Sequence, residues 1–181
     1  MALNDDSPPE LDELRITIAS LESRLAALEN ERAILAVLSR YAYYADAGLD
    51  DKWVDLFTEA GVMDMATGGG DAYGAGLVFT GRSALESFIG DPLGHHRPGF
   101  YRQSMHAHTN NSIVKIDGDS ATATTYSILL KDSDGQMEVS GAGINEWMFE
   151  RHDGEWKLAL RRRRQVGHPA TAELLSATEE D

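Results

Sequence analysis

"MHAHTNNSIVKIDGDSATATTYSILL", residues 105–130, reads as two strands joined by a tight turn. Met105 to Ile116 is the first strand, "DGD" at 117–119 supplies the turn residues, and the Thr-rich "SATATTYSILL" alternates in the second. The pattern repeats downstream. "DSDG" at 132–135 is a turn, "MEVSGAGINEWMFER" at 137–151 a long strand with Gly141 and Gly143 admitting a bend or bulge, "HDGE" at 152–155 another turn, and "WKLALRRRRQV" at 156–166 the last strand. A four-strand antiparallel meander is expected over this half.

Upstream the period changes to that of helices. "SPPE", 7–10, resembles a helix start, with Ser7 as cap, Pro8 at the first helical position and Glu10 reaching back. Leu11, Leu14, Ile18, Leu21, Leu25 and Leu28 then recur at spacings of three and four, a seam of about two and a half heptads that fades at Arg32. Residues 8–30 read either as a helix needing a partner helix or as an amphipathic helix lying on its own domain. "ILAVLSRYAYYADAG" continues the apolar pattern, with a kink admitted near Ala33 and Gly48 as the stop. A short helix over 50–57, short strands at 61–65 and 77–81, and a helix at 82–90 follow, with a glycine loop at 68–76 and a punctuated loop at 91–102. Helices first, then long antiparallel strands, is an α+β pattern: a curved sheet over helices. The tail from 167 to 181 is small, polar and acidic, and is expected to be flexible.

Composition bounds the function classes. A formal charge of −14 argues against nucleic acid or an anionic membrane as partner. No apolar run approaches the roughly 20 residues of a membrane span. The acidic N-terminus lacks a secretory pattern, so a cytoplasmic location is expected. The absence of cysteine excludes disulfides, thiolate catalysis and cysteine zinc sites.

Strand alternation sends His106, His108 and Asn110 to one side. Two histidines so placed are a metal pair in want of a third ligand, a catalytic base with a neighbour, or polar residues on a solvated face. On the helix, Tyr41 and Tyr44 share a face and Tyr43 turns away. "RRRR", 161–164, alternates on its strand, and ion pairs with acidic neighbours are its expected use. His95 and His96 either cover a mouth or are solvated, and their loop favours the second.

The segments "AILAVLSRYAYYADAGLDDKWVDLFTEAGVMD", "FTGRSALESFI", "MHAHTNNSIVKIDGDSATATTYSIL" and "GINEWMFERHDGEWKLALR", in this order and spacing, resemble the SnoaL-like branch of the nuclear-transport-factor-2-like superfamily over residues 31–165. The resemblance implies a cone-shaped roll, with helices packed in a strongly curved, mixed, mainly antiparallel sheet, over residues 31–166. It also implies roles. Asp46 matches the acid ending the long helix and His106 its histidine partner, a dyad in dehydratase-like and dehydrochlorinase-like members. Tyr41 matches a polar helper, and Arg161 an arginine late in the last strand. His108 departs from the pattern, which more often has an apolar residue there.

Together these readings predict a lyase or isomerase without a cofactor or metal, most simply a dehydratase, acting on a small apolar hydroxylated or keto compound. His106, Asp46 and Tyr41 are the expected catalytic groups, and Tyr44, His108, Asn110 and Arg161 the expected substrate-binding ones. A non-catalytic ligand-binding or partner-binding protein, like the dioxygenase β subunits, is the other reading. A homodimer or higher homo-oligomer is expected, with residues 1–30 as the joining element.

Overall fold

The computed structural model describes residues 9–65 and 77–176. The cap at Ser7 and Pro8 and the glycine loop at 68–76 lie outside the described residues.

One unbroken helix, α1 (Pro9–Ala47), takes up both N-terminal patterns, without the break admitted near Ala33. Its two halves live differently. The seam residues Leu11, Leu14, Ile18, Leu21, Leu25 and Leu28 are all exposed. From Ile34 on, Ile34, Val37, Leu38, Tyr41 and Ala45 are buried, one helical face turned onto the sheet. Gly48, with φ +65°, ends the helix, and Leu49 N–H closes it on Tyr44 O at 2.9 Å. A side chain at Gly48 would collide with the Tyr101 ring.

The helix expected over 50–57 is shorter. α2 (Asp50–Val54) gives way to β1 (Phe57–Asp64), because Phe57 pairs with Leu158 and Leu158 N–H reaches Leu56 O at 2.8 Å. Sheet pairing from far along the chain outweighs the local preference here. β2 (Val78–Thr80) adds to β1, and α3 (Arg82–Ile89) buries Leu85 and Ile89.

The meander follows as β3 (Ser104–Asp117), β4 (Ser120–Ser133), β5 (Gln136–His152) and β6 (Glu155–Gln165). The sheet order is β2-β1-β6-β5-β4-β3, with β1 parallel to β6 and every other neighbour antiparallel. Register shifts interrupt the β1/β6, β3/β4, β4/β5 and β5/β6 ladders, and such bulges bend strands and increase twist. The result is the expected α+β roll, a curved, unclosed, mostly antiparallel sheet. The C-terminal half of α1 lies on it. Tyr41, Trp53, Phe57, Trp147, Phe149 and Leu158 pack between them. Past Gly167, where the sequence has no expected element, Ala170–Ser176 forms a short helix, α4.

Candidate active site

The helix end and the edge strand meet at Asp46 and His106. The Asp46 carboxylate lies 2.6 Å from His106 Nδ1 through Oδ1. The same carboxylate accepts the His106 backbone N–H, at 3.1 Å to Oδ1 and 2.9 Å to Oδ2. The strand is thus tied to the helix, and the imidazole is held with Nδ1–H toward the acid and Nε2 free to take a proton. The His106 side chain is only 9% exposed.

A cleft of about 470 Å³ opens between α1 and β3. Leu35, Leu38, Ser39, Ala42 and Tyr43 line it from the helix, and residues 106–110 from the strand. His106, His108 and Asn110 line it, and so do Ala107 and Thr109 of the opposite parity. Asn110 sits exposed at the bulge that interrupts the β3/β4 ladder, with φ +64°.

Both ring nitrogens of His108 are buried and have no hydrogen-bond partner among the described residues. Its ring lies 5.8 Å from Tyr41 and 5.2 Å from Trp147. Burial, reinforced by the charges of Arg161 and His106, pushes its pKa down to about 3, against a small opposing pull from the Leu38 backbone. His108 is therefore neutral, able to donate from one nitrogen and accept at the other.

Deeper in the roll a second cluster forms. Arg161, 4% exposed, donates to Tyr41 Oη at 2.7 Å and to Asn145 Oδ1 at 3.1 Å. Its guanidinium lies 5.0 Å from the Tyr41 ring centre and 5.3 Å from that of Trp147. Burial raises the Tyr41 pKa despite the opposing charge of Arg161, so the phenol keeps its proton. Thr125 Oγ1 completes the cluster, accepting from Asn145 Nδ2 at 3.2 Å and Trp147 Nε1 at 3.0 Å.

The fold therefore brings Asp46 to His106 and Tyr41 to Arg161, and sets His108, two residues from His106 on β3, against the Tyr41 ring. Tyr44 packs half-buried against the hydrophobic core. Among the described residues no three metal-ligating side chains gather, so His106 and His108 have no third ligand there.

His95 and His96 are not simply solvated. The His95 ring stacks on that of His106, 5.3 Å apart at 6°, with Phe88 and Phe100 against its edges. Burial and the neighbouring His106 push its pKa down to about 3. His96 Nε2 lies 2.7 Å from Asp50 Oδ2. Loop composition hides this, because which ring a loop residue meets is decided by packing from elsewhere in the chain. Asn145 and Thr125 also enter the site unannounced. The legible signal was parity: Asn145 shares its face with Trp147 and Phe149, a polar residue among buried aromatics.

The family model described as a SnoaL-like domain matches residues 26–162. A nuclear-transport-factor-2-like protein with a cystatin-like fold from Novosphingobium aromaticivorans is similar at 25% identity and a TM-score of 0.75, over 87% of this chain and 96% of that one. Two further proteins of that organism share the fold. One, provisionally described as a scytalone dehydratase, has 19% identity and a TM-score of 0.62 over 77% of this chain and 86% of its own. The other, the β subunit of a provisionally assigned aromatic-ring-hydroxylating dioxygenase, has 16% identity and a TM-score of 0.63 over 77% of this chain and 91% of its own. No curated protein matches. With more than half its length matched by that family model, the chain belongs to the SnoaL-like domain family of the nuclear-transport-factor-2-like superfamily.

Proposed function

We propose that the protein is a lyase or isomerase that needs no cofactor, and first a dehydratase, acting on a small hydroxylated or keto compound. The observation that carries this is the 2.6 Å contact of Asp46 with His106 Nδ1, which leaves Nε2 as a base beside an open cleft. Nε2 takes a proton from the carbon next to a carbonyl, and the C–H pair becomes the new C=C bond. The C–O bond breaks, and the proton held on Nε2 passes to the departing hydroxide, so water leaves and the imidazole is restored. Asp46 stabilises the imidazolium in between. Tyr41 supplies a proton donor for the developing oxygen charge. Tyr44, His108, Asn110 and Arg161 hold the rest of the molecule. Polyketide-type cyclisation and steroid-type isomerisation need the same base and the same oxygen-binding group, and come next.

The test is loss of water from a panel of β-hydroxy ketones and hydroxylated rings, followed by absorbance of the conjugated product. His106→Ala is expected to lower turnover by roughly 10²–10⁴-fold. Undiminished turnover in that variant removes the proposed base.

One observation favours a second reading, a partner-binding scaffold: the exposed apolar seam on α1. In either reading the occupant we propose for that seam is a second copy of this chain, giving a homodimer or higher homo-oligomer.

A further inference from the structure

The four consecutive arginines of β6 split into two kinds. Arg162 and Arg164 face outward and are met by acids: Arg162 by Asp64 and Glu146, Arg164 by Asp64 at 2.9 Å. Arg161 and Arg163 face the inside of the roll, and among the described residues no carboxylate pairs with either. Among the described residues Arg161 is held by neutral groups, Tyr41 Oη, Asn145 Oδ1 and Met63 Sδ, and by two aromatic faces. Among the described residues the half-buried Arg163 side chain has a single long hydrogen bond, Nε to Ser127 Oγ at 3.5 Å. Two residues apart on a strand, the two side chains leave the backbone about 7 Å apart on one face. Burial first, and then the charge of Arg161, pushes the Arg163 pKa down to about 10.

Room has been made for this second cation. A side-chain carbon at Gly141 would come within 3.2 Å of an Arg163 terminal nitrogen, and one at Gly143 would collide first with the Arg164 backbone carbonyl and come within 3.3 Å of Arg163 Nε. The guanidinium lies against Gly141 and Gly143 of β5, which carry no side chain. Placing two cations side by side without a counter-charge is costly, and an outside anion would relieve it. In a chain of net charge −14, with carboxylates to spare, their absence from this face among the described residues is not a shortage of acids.

We propose that the inside of the roll binds the carboxylate of a small organic acid between the guanidinium groups of Arg161 and Arg163. A guanidinium fork fits the two oxygens of a carboxylate in one plane. The neutral His108 and the rings of Tyr41 and Trp147 would meet the uncharged body of the same molecule. This deepens the proposed function by naming its substrate class, a hydroxy or keto acid, and rests on that reading for the chemistry though not for the binding.

The experiment uses the full chain and a panel of small aromatic and aliphatic carboxylic acids, each beside its primary amide, with binding read by calorimetry and thermal shift at low salt. Acids are expected to bind and to raise the melting temperature, and amides to bind more weakly by roughly tenfold to hundredfold. Arg163→Gln should lose that preference, Arg163→Lys should keep part of it, and Arg162→Gln should leave it intact. Equal binding of acids and amides, undiminished acid binding by Arg163→Gln, or no binding by any acid overturns the proposal. Failure of the lyase reading looks different: acids bind, to His106→Ala as to the parent chain, but none is turned over. Turnover of neutral hydroxy ketones through His106 without acid binding would leave the lyase standing and remove the carboxylate site.

Discussion

The carboxylate of Asp46 accepts both the backbone N–H and the ring Nδ1–H of His106, one acid fixing the position and the tautomer of one base. Asp46→Asn keeps an acceptor oxygen for the backbone N–H but presents an amide N–H₂ as readily to the ring. The imidazole then loses its preference for Nδ1–H. The ¹⁵N shifts of His106 should report Nδ1 protonated and Nε2 bare in the parent chain, and a mixture or reversal in Asp46→Asn. Turnover, once a substrate is in hand, should fall by about 10²–10⁴-fold. Unchanged ring shifts in the variant would show that the acid does not set the tautomer.

Thr125 Oγ1 is the shared acceptor of Asn145 Nδ2 and Trp147 Nε1, and Asn145 in turn accepts from Arg161. Thr125→Val keeps the shape and leaves two buried donors unpaired, at a cost of about 2–4 kcal/mol. Thr125→Ser should recover most of it. Urea unfolding of the three chains measures both. A Val variant as stable as the parent would mean that the threonine hydroxyl does not hold the buried arginine's neighbours in place.

His95 and His108 are both held neutral by burial, their pKa values pushed down to about 3. In the unfolded chain a histidine has its ordinary value near 6.5. Between about pH 3 and about pH 6.5 the unfolded state therefore carries more protons, and stability rises with pH through that window. It is fully present above the unfolded value and is lost as pH falls toward the folded one. Each histidine adds a slope of about 1.4 kcal/mol per pH unit. Urea midpoints at several pH values between 4.5 and 7 (roughly the span where histidine titrates in the unfolded chain) should fall with acidification. His108→Gln should reduce the slope by about one proton. An unchanged slope would mean that His108 titrates normally in the folded protein.

Local pattern carried the element types well and the meeting points poorly. The Thr-rich hairpin and the turns at 117–119 and 132–135 were readable because their residues dictate their own backbone. The end of α2 was not, because Phe57 leaves the helix to pair with Leu158, a partner a hundred residues away. In the site, parity grouped His106, His108 and Asn110, but the cleft also takes Ala107 and Thr109, and only the family resemblance connected His106 to Asp46. The stacking of His95 on His106 has no trace in sequence, since it depends on how the loop at 91–102 settles over the helix end. The arginine run was legible in its alternation and illegible in its consequence: that two arginines would lack acids depends on which face of β5 and β4 they meet.

The exposed seam of α1 makes the last prediction. Leu11, Leu14, Ile18, Leu21, Leu25 and Leu28 stand in water along one side of a helix that extends past its own domain. Counting Leu11 as an a position puts Arg24 at g and Glu29 at e, both exposed. In a parallel pair of such helices, g of one chain lies beside the following e of the other, so Arg24 meets Glu29 of the second copy with opposite charge. A second copy of this chain thus fits the seam in both hydrophobicity and charge. Light scattering should give the full chain at least twice the mass of one chain, and removal of residues 1–30 should lower the assembly. Leu21→Lys, in the middle of the seam, should do the same without shortening the chain, because two lysines would face each other across the core. If both variants keep the parent's mass, the chains associate through the sheet or not at all, and the seam serves some other partner.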